Sequence, residues 1–170
     1  GANRGVFAGV GNSSAGGGQL STSTTYGGTS MVEMWDFTAL TFYANAGYQL
    51  AGQATGAQTV TNTLAAAPTE HSLGVVSMTD VHQTTPVGTS ATASGADTTA
   101  TVTVTGVGVD DLVVDNMYSA AGGAPTIGAD QTLRYTETVA VVVEVRGSTQ
   151  PGTAGGVMSW TFGIAADWLT

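Results

Sequence analysis

The chain has no cysteine and no lysine, and its basic residues are Arg4, Arg134 and Arg146. Without cysteine there is no disulfide and no thiolate metal site, which leaves the compartment open. Three scattered arginines cannot form the basic stripe that displaces counterions from phosphates, so no nucleic acid is expected as a partner. The same shortage argues against docking on anionic membrane surfaces. No apolar run approaches the roughly 20 residues that span a bilayer, so membrane insertion is not expected either. No segment shows a capped helical period, and no linker or strict repeat divides the chain. Charged residues make up only 9% of it, against roughly 25% in a typical globular domain.

What is present is acidic, small and β-forming. Twelve Asp and Glu give a formal net charge of −9, and 42% of the 170 residues are hydrophobic, many of them Ala and Val. That length suits a single domain over residues 1–170 with one core. The surface must then be mostly Thr, Ser, Gln, Asn and Gly, polar but weakly charged. Composition leaves two readings open. One is an acidic secreted domain; the other is a subunit packed against copies of itself, since dense mixed charge keeps monomers apart.

The stretch Asp110–Phe162 organises the chain. In its first strand Leu112, Val114 and Asn116 share one face, and Val113, Asp115 and Met117 the other. A Gly/Pro-rich turn containing Gly122-Gly123 follows, then strand-like runs at Gln131–Glu137, Val139–Arg146 and Val157–Ile164. Upstream, Val6–Val10, Leu20–Tyr26, Ser30–Asp36, Leu40–Tyr48, Ala57–Leu64 and Thr98–Thr105 read as strands. His71–Thr79 is mostly apolar and reads as a central strand. Tyr26-Gly27-Gly28-Thr29 reads as a hairpin turn, because adjacent glycines accept positive φ. In Ser30–Asp36, plain alternation puts Met31, Glu33 and Trp35 on one side. Asp80–Ser94 is a long polar connection. About ten or eleven short strands with turns between them predict an all-β, antiparallel sandwich of jelly-roll type.

Little reactive chemistry is legible. His71 and His82 are the only imidazoles. No G-x-S-x-G elbow accompanies them, so no catalytic residue is assigned. Glycosidase work needs two carboxyls flanking a sugar bond. Glu33 and Asp36 lie too close in sequence to fix a separation, while Glu137 and Glu144 lie on consecutive strands that could bring them face to face. Asp110 and Asp111, with Asp115 and Asp80, are candidates for Ca²⁺ as hard oxygen ligands, but no D-x-D-x-D-G loop frames them. The glycines at Gly16–Gly18 and Gly122-Gly123 read as turns, not phosphate loops. No cofactor is expected. Asn12-Ser13-Ser14 is an N-glycosylation sequon. Trp35, Trp160, Trp168, Phe42 and Tyr48 could stack a sugar. Period places Trp35 and Trp160 in the core, which leaves Trp168 as the candidate interface anchor.

Several segments carry a resemblance: Tyr26–Trp35 (YGGTSMVEMW), Val75–Gly88 (VVSMTDVHQTTPVG), Asp111–Val114 (DLVV), Gly128–Tyr135 (GADQTLRY), Gly147–Thr153 (GSTQPGT) and Met158–Thr161 (MSWT). Through them the chain resembles secreted bacterial and phage-type β-sandwich modules of unknown function. These recur in long extracellular and virion-associated polypeptides. The resemblance implies a structural or adhesive module at a cell or virion surface. Similar modules carry one further strand before Asn3-Arg4 and another after Asp167-Trp168. Either this sequence is a shortened form, or a neighbouring copy covers the open edge by donor-strand addition. The expectation is a non-enzymatic subunit of an extracellular filament, surface fibre or virion coat, a homo-oligomer or polymer. The alternative is a carbohydrate-binding module with glycans as ligands.

Overall fold

The computed structural model describes residues 3–53, 55–120, 124–139 and 143–170. The expected turn at Gly122-Gly123 and the middle of the expected strand Val139–Arg146 lie outside them. Thirteen strands run through the described residues: β1 (Arg4–Ser13), β2 (Ser21–Tyr26), β3 (Thr29–Ser30), β4 (Val32–Ala39), β5 (Tyr43–Ala51), β6 (Val60–Leu64), β7 (Glu70–Thr79), β8 (Ser94–Thr103), β9 (Leu112–Ala120), β10 (Thr126–Ile127), β11 (Thr132–Val139), β12 (Val143–Pro151) and β13 (Val157–Leu169). The only helical element among them is the 3₁₀ turn Gly152–Ala154. The molecule is the all-β antiparallel sandwich expected, with a few more strands.

β1 is the centre of a sheet ordered β4-β5-β1-β7. It pairs without a break along both neighbours. Strand alternation sends Val6, Ala8 and Val10 to one side. There they meet Met31, Ala46 and Tyr48, under a small sheet ordered β3-β2-β6. The opposite side of β1 carries Gly9 and Gly11, and faces the larger sheet. A Cβ on Gly11 would stand 2.6 Å from Val145, and one on Gly9 2.3 Å from the Tyr135 hydroxyl. Glycine there lets the two sheets close on one another.

The larger sheet is ordered β10-β13-β9-β12-β11, with β8 also on β13. Its long strand β13 bends. Val157–Thr161 pairs with Thr99–Thr103, then the register breaks, and Ala166–Leu169 pairs with Ser94–Asp97. The last residues also pair with β9. The bend lays Met158, Trp160 and Phe162 over the far face of β9, against Val113 and Met117. Both faces of β9 are thereby buried, and its alternation assigns each face correctly: Tyr118 packs with Val145 while Met117 packs with Trp160.

Four expectations change. Among the described residues β7 is an edge strand, paired only with β1; it reads as central because the larger sheet buries one of its faces, at Ser72, Gly74 and Val76, not because strands flank it. β4 carries a bulge between Glu33 and Trp35, so Glu33 pairs with Tyr48 and Trp35 with Gly47. Glu33 and Trp35 therefore point to opposite faces. Leu40 belongs to a turn, and β5 starts at Tyr43. Glu137 sits opposite Val145, not Glu144; Glu144 is buried and ion-paired with Arg146 Nε at 2.6 Å.

Candidate functional site

The sheet margins differ in how well they are guarded. An edge strand presents unpaired N–H and C=O groups, and folded proteins blunt such edges with bulges, Pro, Lys or short strands. Among the described residues, the edge strands longer than two residues are β4, β6, β7, β8 and β11. Register breaks interrupt the pairing of β4, β6, β8 and β11. β4 is also crossed by the Ser90 hydroxyl, which donates to Met34 O at 3.4 Å. β11 carries Arg134 at its break, donating from Nε to Thr149 Oγ1 at 2.7 Å. β7 is the exception: ten residues in unbroken register with β1. It contains no Pro and no Lys, and its charged residue is Glu70, at one end. Gly74 lets it lie flush on the larger sheet, since a Cβ there would meet the Tyr135 ring at 2.0 Å. Its other face exposes Val75.

A cleft of about 760 Å³ opens at one end of the sandwich, beneath the connection from β7 to β8. Phe7, Trp35, Val87 and Leu112 line it, with Asp80, Asp110, Asp111 and His82 among the polar groups. Asp111 is already engaged: its Oδ2 accepts the Gly108 N–H at 2.7 Å and its own N–H donates to Gly108 O at 3.1 Å. His82 Nδ1 accepts the Thr85 N–H at 3.0 Å. Among the described residues no three His, Cys, Asp or Glu are grouped to hold a metal. Asp110 and Asp111 border a turn.

The bulge in β4 does bring Glu33 and Asp36 to one face, beside Tyr48 on β5. Burial pushes the Asp36 carboxyl up to about 6; the Ser21 N–H opposes the rise and neighbouring Glu33 adds to it. That N–H donates to Asp36 Oδ2 at 2.6 Å. Asn62 Nδ2 ties Ser21 and Thr24, and Asn62 Oδ1 meets His71 Nε2 at 3.1 Å. Burial lowers His71. Asp36 fastens the small sheet to the four-stranded one, while Glu33 accepts from Tyr48 Oη at 3.5 Å within its own sheet; neither carboxylate lines the cleft.

Two further polar clusters are internal. Asn45 and Asn116 bolt the sheets together: Asn45 Nδ2 donates to Asn116 O and Leu169 O, Asn116 Nδ2 to Val10 O, and Tyr135 Oη to Asn116 Oδ1 at 2.7 Å. Asp115, which sequence offered as a calcium ligand, is buried by the bend of β13. Its Oδ1 accepts the Ser148 N–H and hydroxyl, and its Oδ2 accepts Trp160 Nε1 at 2.8 Å. Desolvation pushes it up to about 6, against the pull of those bonds. Gln131 and Ser148 complete this cluster and escaped sequence reasoning. The one available signal was a carboxylate in an otherwise apolar strand face.

Two site assignments are overturned. Asn12 is buried, its Nδ2 donating to Gln19 O and its Oδ1 accepting the Gln19 N–H, both at 2.8 Å. The folded chain does not offer it to a glycosyl donor. Trp168 is buried within its own chain, its ring over Gly95 and its Nε1 donating to Asp97 Oδ1 at 3.1 Å. It is no interface anchor. Tyr48 is buried as well, so neither aromatic is free to stack a sugar. Trp160 is core as expected, and Trp35 is half-buried over Gly47. In comparison with known proteins, the chain matches no family model, no curated protein and no solved structure.

Proposed function

We propose that this chain is a non-enzymatic structural subunit of an extracellular filament, surface fibre or virion coat, and that it adds to copies of itself along β7. The observation that carries this reading is the contrast between β7 and the other edges. Four edge strands have broken registers; β7 runs unbroken, and its one carboxylate, Glu70, stands at its end. Strand addition there satisfies main-chain groups that otherwise bind water, and apolar Val75 beside the edge gains cover. The surface holds few charges to desolvate, since charged residues are only 9% of the chain and Arg146, Glu144 and Asp115 among them are buried.

The test is electron microscopy and size-exclusion chromatography of the native chain beside Val75→Lys. The native chain is expected as polymers or oligomers at micromolar concentration, and the lysine variant as monomers with an unchanged circular dichroism spectrum. Native monomers under the same conditions would sink the reading. So would a lysine variant that assembles equally well.

A further inference from the structure

Behind the bend of β13, a hydroxyl, a carboxylate and a carboxamide stand in a row. Ser148 is 0%, Asp115 4% and Gln131 9% exposed. Ser148 Oγ donates to Asp115 Oδ1 at 2.8 Å, and Gln131 Nε2 donates to the same Oγ at 2.8 Å. The Gln131 carbonyl oxygen accepts the Ser159 backbone N–H at 2.8 Å. The hydroxyl thus has a proton acceptor on one side and an acyl group on the other, and the acyl oxygen has a fixed donor. These are the parts acyl transfer requires: nucleophile, base and oxyanion donor.

We propose that Ser148 and Gln131 join spontaneously into an intramolecular ester, a covalent staple between β12 and the residue just before β11. Asp115 takes the hydroxyl proton as Ser148 Oγ attacks the Gln131 carbonyl carbon. The carbon–oxygen bond forms, and the oxyanion rests on the Ser159 N–H. Collapse breaks the carbon–nitrogen bond, and the proton held by Asp115 leaves with the nitrogen as ammonia. Hydroxyl and amide become ester and ammonia, with no oxidant or co-reactant. A pivot about the Ser159 hydrogen bond turns the face of the carbonyl toward Oγ, which already touches the amide nitrogen.

The packing favours this outcome over a hydrogen-bonded standstill. Glycine at 128 leaves the carboxamide room to turn: a Cβ there would stand 2.6 Å from Gln131 Oε1 and 2.1 Å from Ser159 Oγ. A carboxamide held this closely reacts as an intramolecular partner, and such proximity replaces a large part of a barrier. Asp115, with a raised pKa, is a stronger base than an exposed carboxylate. Trp160 and Met117 pack over the adjoining core, and the enclosed ester is shielded from hydrolysis. The reaction runs inside one copy and does not depend on assembly.

Intact-mass measurement of the folded native chain, followed by trypsin digestion, decides it. Ester formation lowers the mass by one ammonia, about 17 Da. Trypsin cuts after Arg4, Arg134 and Arg146, so the peptides 5–134 and 147–170 stay joined while 135–146 is released. Ser148→Ala is expected to have full mass and separate peptides. Gln131→Met, which keeps the volume and removes the acyl group, should match it and serves if the alanine variant fails to fold. Asp115→Asn should slow the mass loss at least tenfold. A native chain that keeps its full sequence mass through prolonged incubation at neutral pH overturns the proposal. So does a mass loss that survives in either variant.

Discussion

Single residues here hold conformations and bonds that their types resist. Thr41 is the clearest case. Leu40 and Thr41 have φ of 54° and 69°, and the Phe42 N–H donates to Leu40 O at 2.8 Å. That closes a tight turn around a β-branched residue in the left-handed region, where a side chain costs on the order of 1 kcal/mol or more. Thr41 is exposed, so little packing offsets the cost. Thr41→Gly is therefore expected to stabilise the fold by about 1 kcal/mol. Urea denaturation would register it as a higher midpoint at constant slope. An unchanged or lower midpoint would show that the turn holds no strain. Asp115 illustrates the other kind of constraint, a carboxylate kept indoors because three donors meet it.

Between strands, the same device recurs: a large aromatic ring lies across a glycine directly opposite in register. Trp35 covers Gly47, Tyr135 covers Gly147, and Trp168 covers Gly95. Each ring fills the groove that the missing side chain leaves, and so marks the register of its strand pair. Tyr135 goes further, since its ring also fits against Gly74 on β7. It thereby positions β7 over the larger sheet. Gly74→Ala would drive a methyl into that ring. The expected loss is about 2–3 kcal/mol, the upper part of the range for overpacked cores, because backbone faces ring. Thermal or urea unfolding measures it, and a loss under about 0.5 kcal/mol would mean the sheets slide apart freely. The bend of β13 is the second element-scale feature. It converts one open sheet into a fold with a second interior, where Trp160, Asp115 and Ser148 lie.

At the scale of the molecule, acid and charge act together. Asp36 and Asp115 both titrate near 6 in the fold, against an ordinary value of 3.8. Burial is the first cause for each. The folded chain therefore binds more protons than the unfolded chain between those values, and stability rises as pH falls through that window. His71 works against this, since its lowered pKa lets the unfolded chain take up the proton first. Two carboxylates outweigh one imidazole. The melting temperature is expected to be higher at about pH 5 than at about pH 8, and Asp36→Asn should flatten the slope. A melting temperature that falls steadily with acid would reverse the assignment. The same acidification reduces the net charge of −9 toward the isoelectric point near 4.1. Repulsion between copies weakens accordingly, as it also does in salt.

The alternation of inward Val102 with outward Thr101 and Thr103, the opposed faces of β9, and the Gly27-Gly28 turn were all legible in the chain, although β8 ends at Thr103, before Val104 and Thr105. Strand periodicity and turn chemistry are local properties, carried by a few consecutive residues. The all-β class followed from them. Which strands stand at the margins did not. β7 has the apolar pattern of a central strand because the larger sheet covers one of its faces, and only long-range pairing leaves it at an edge. Likewise a sequon at Asn12, a tryptophan at Trp168 and a carboxylate at Asp115 look available in one dimension. Each is withdrawn by contacts with residues 7 to 71 positions away along the chain. Local pattern set what each segment is; the meeting of distant segments decided what is open and what is closed.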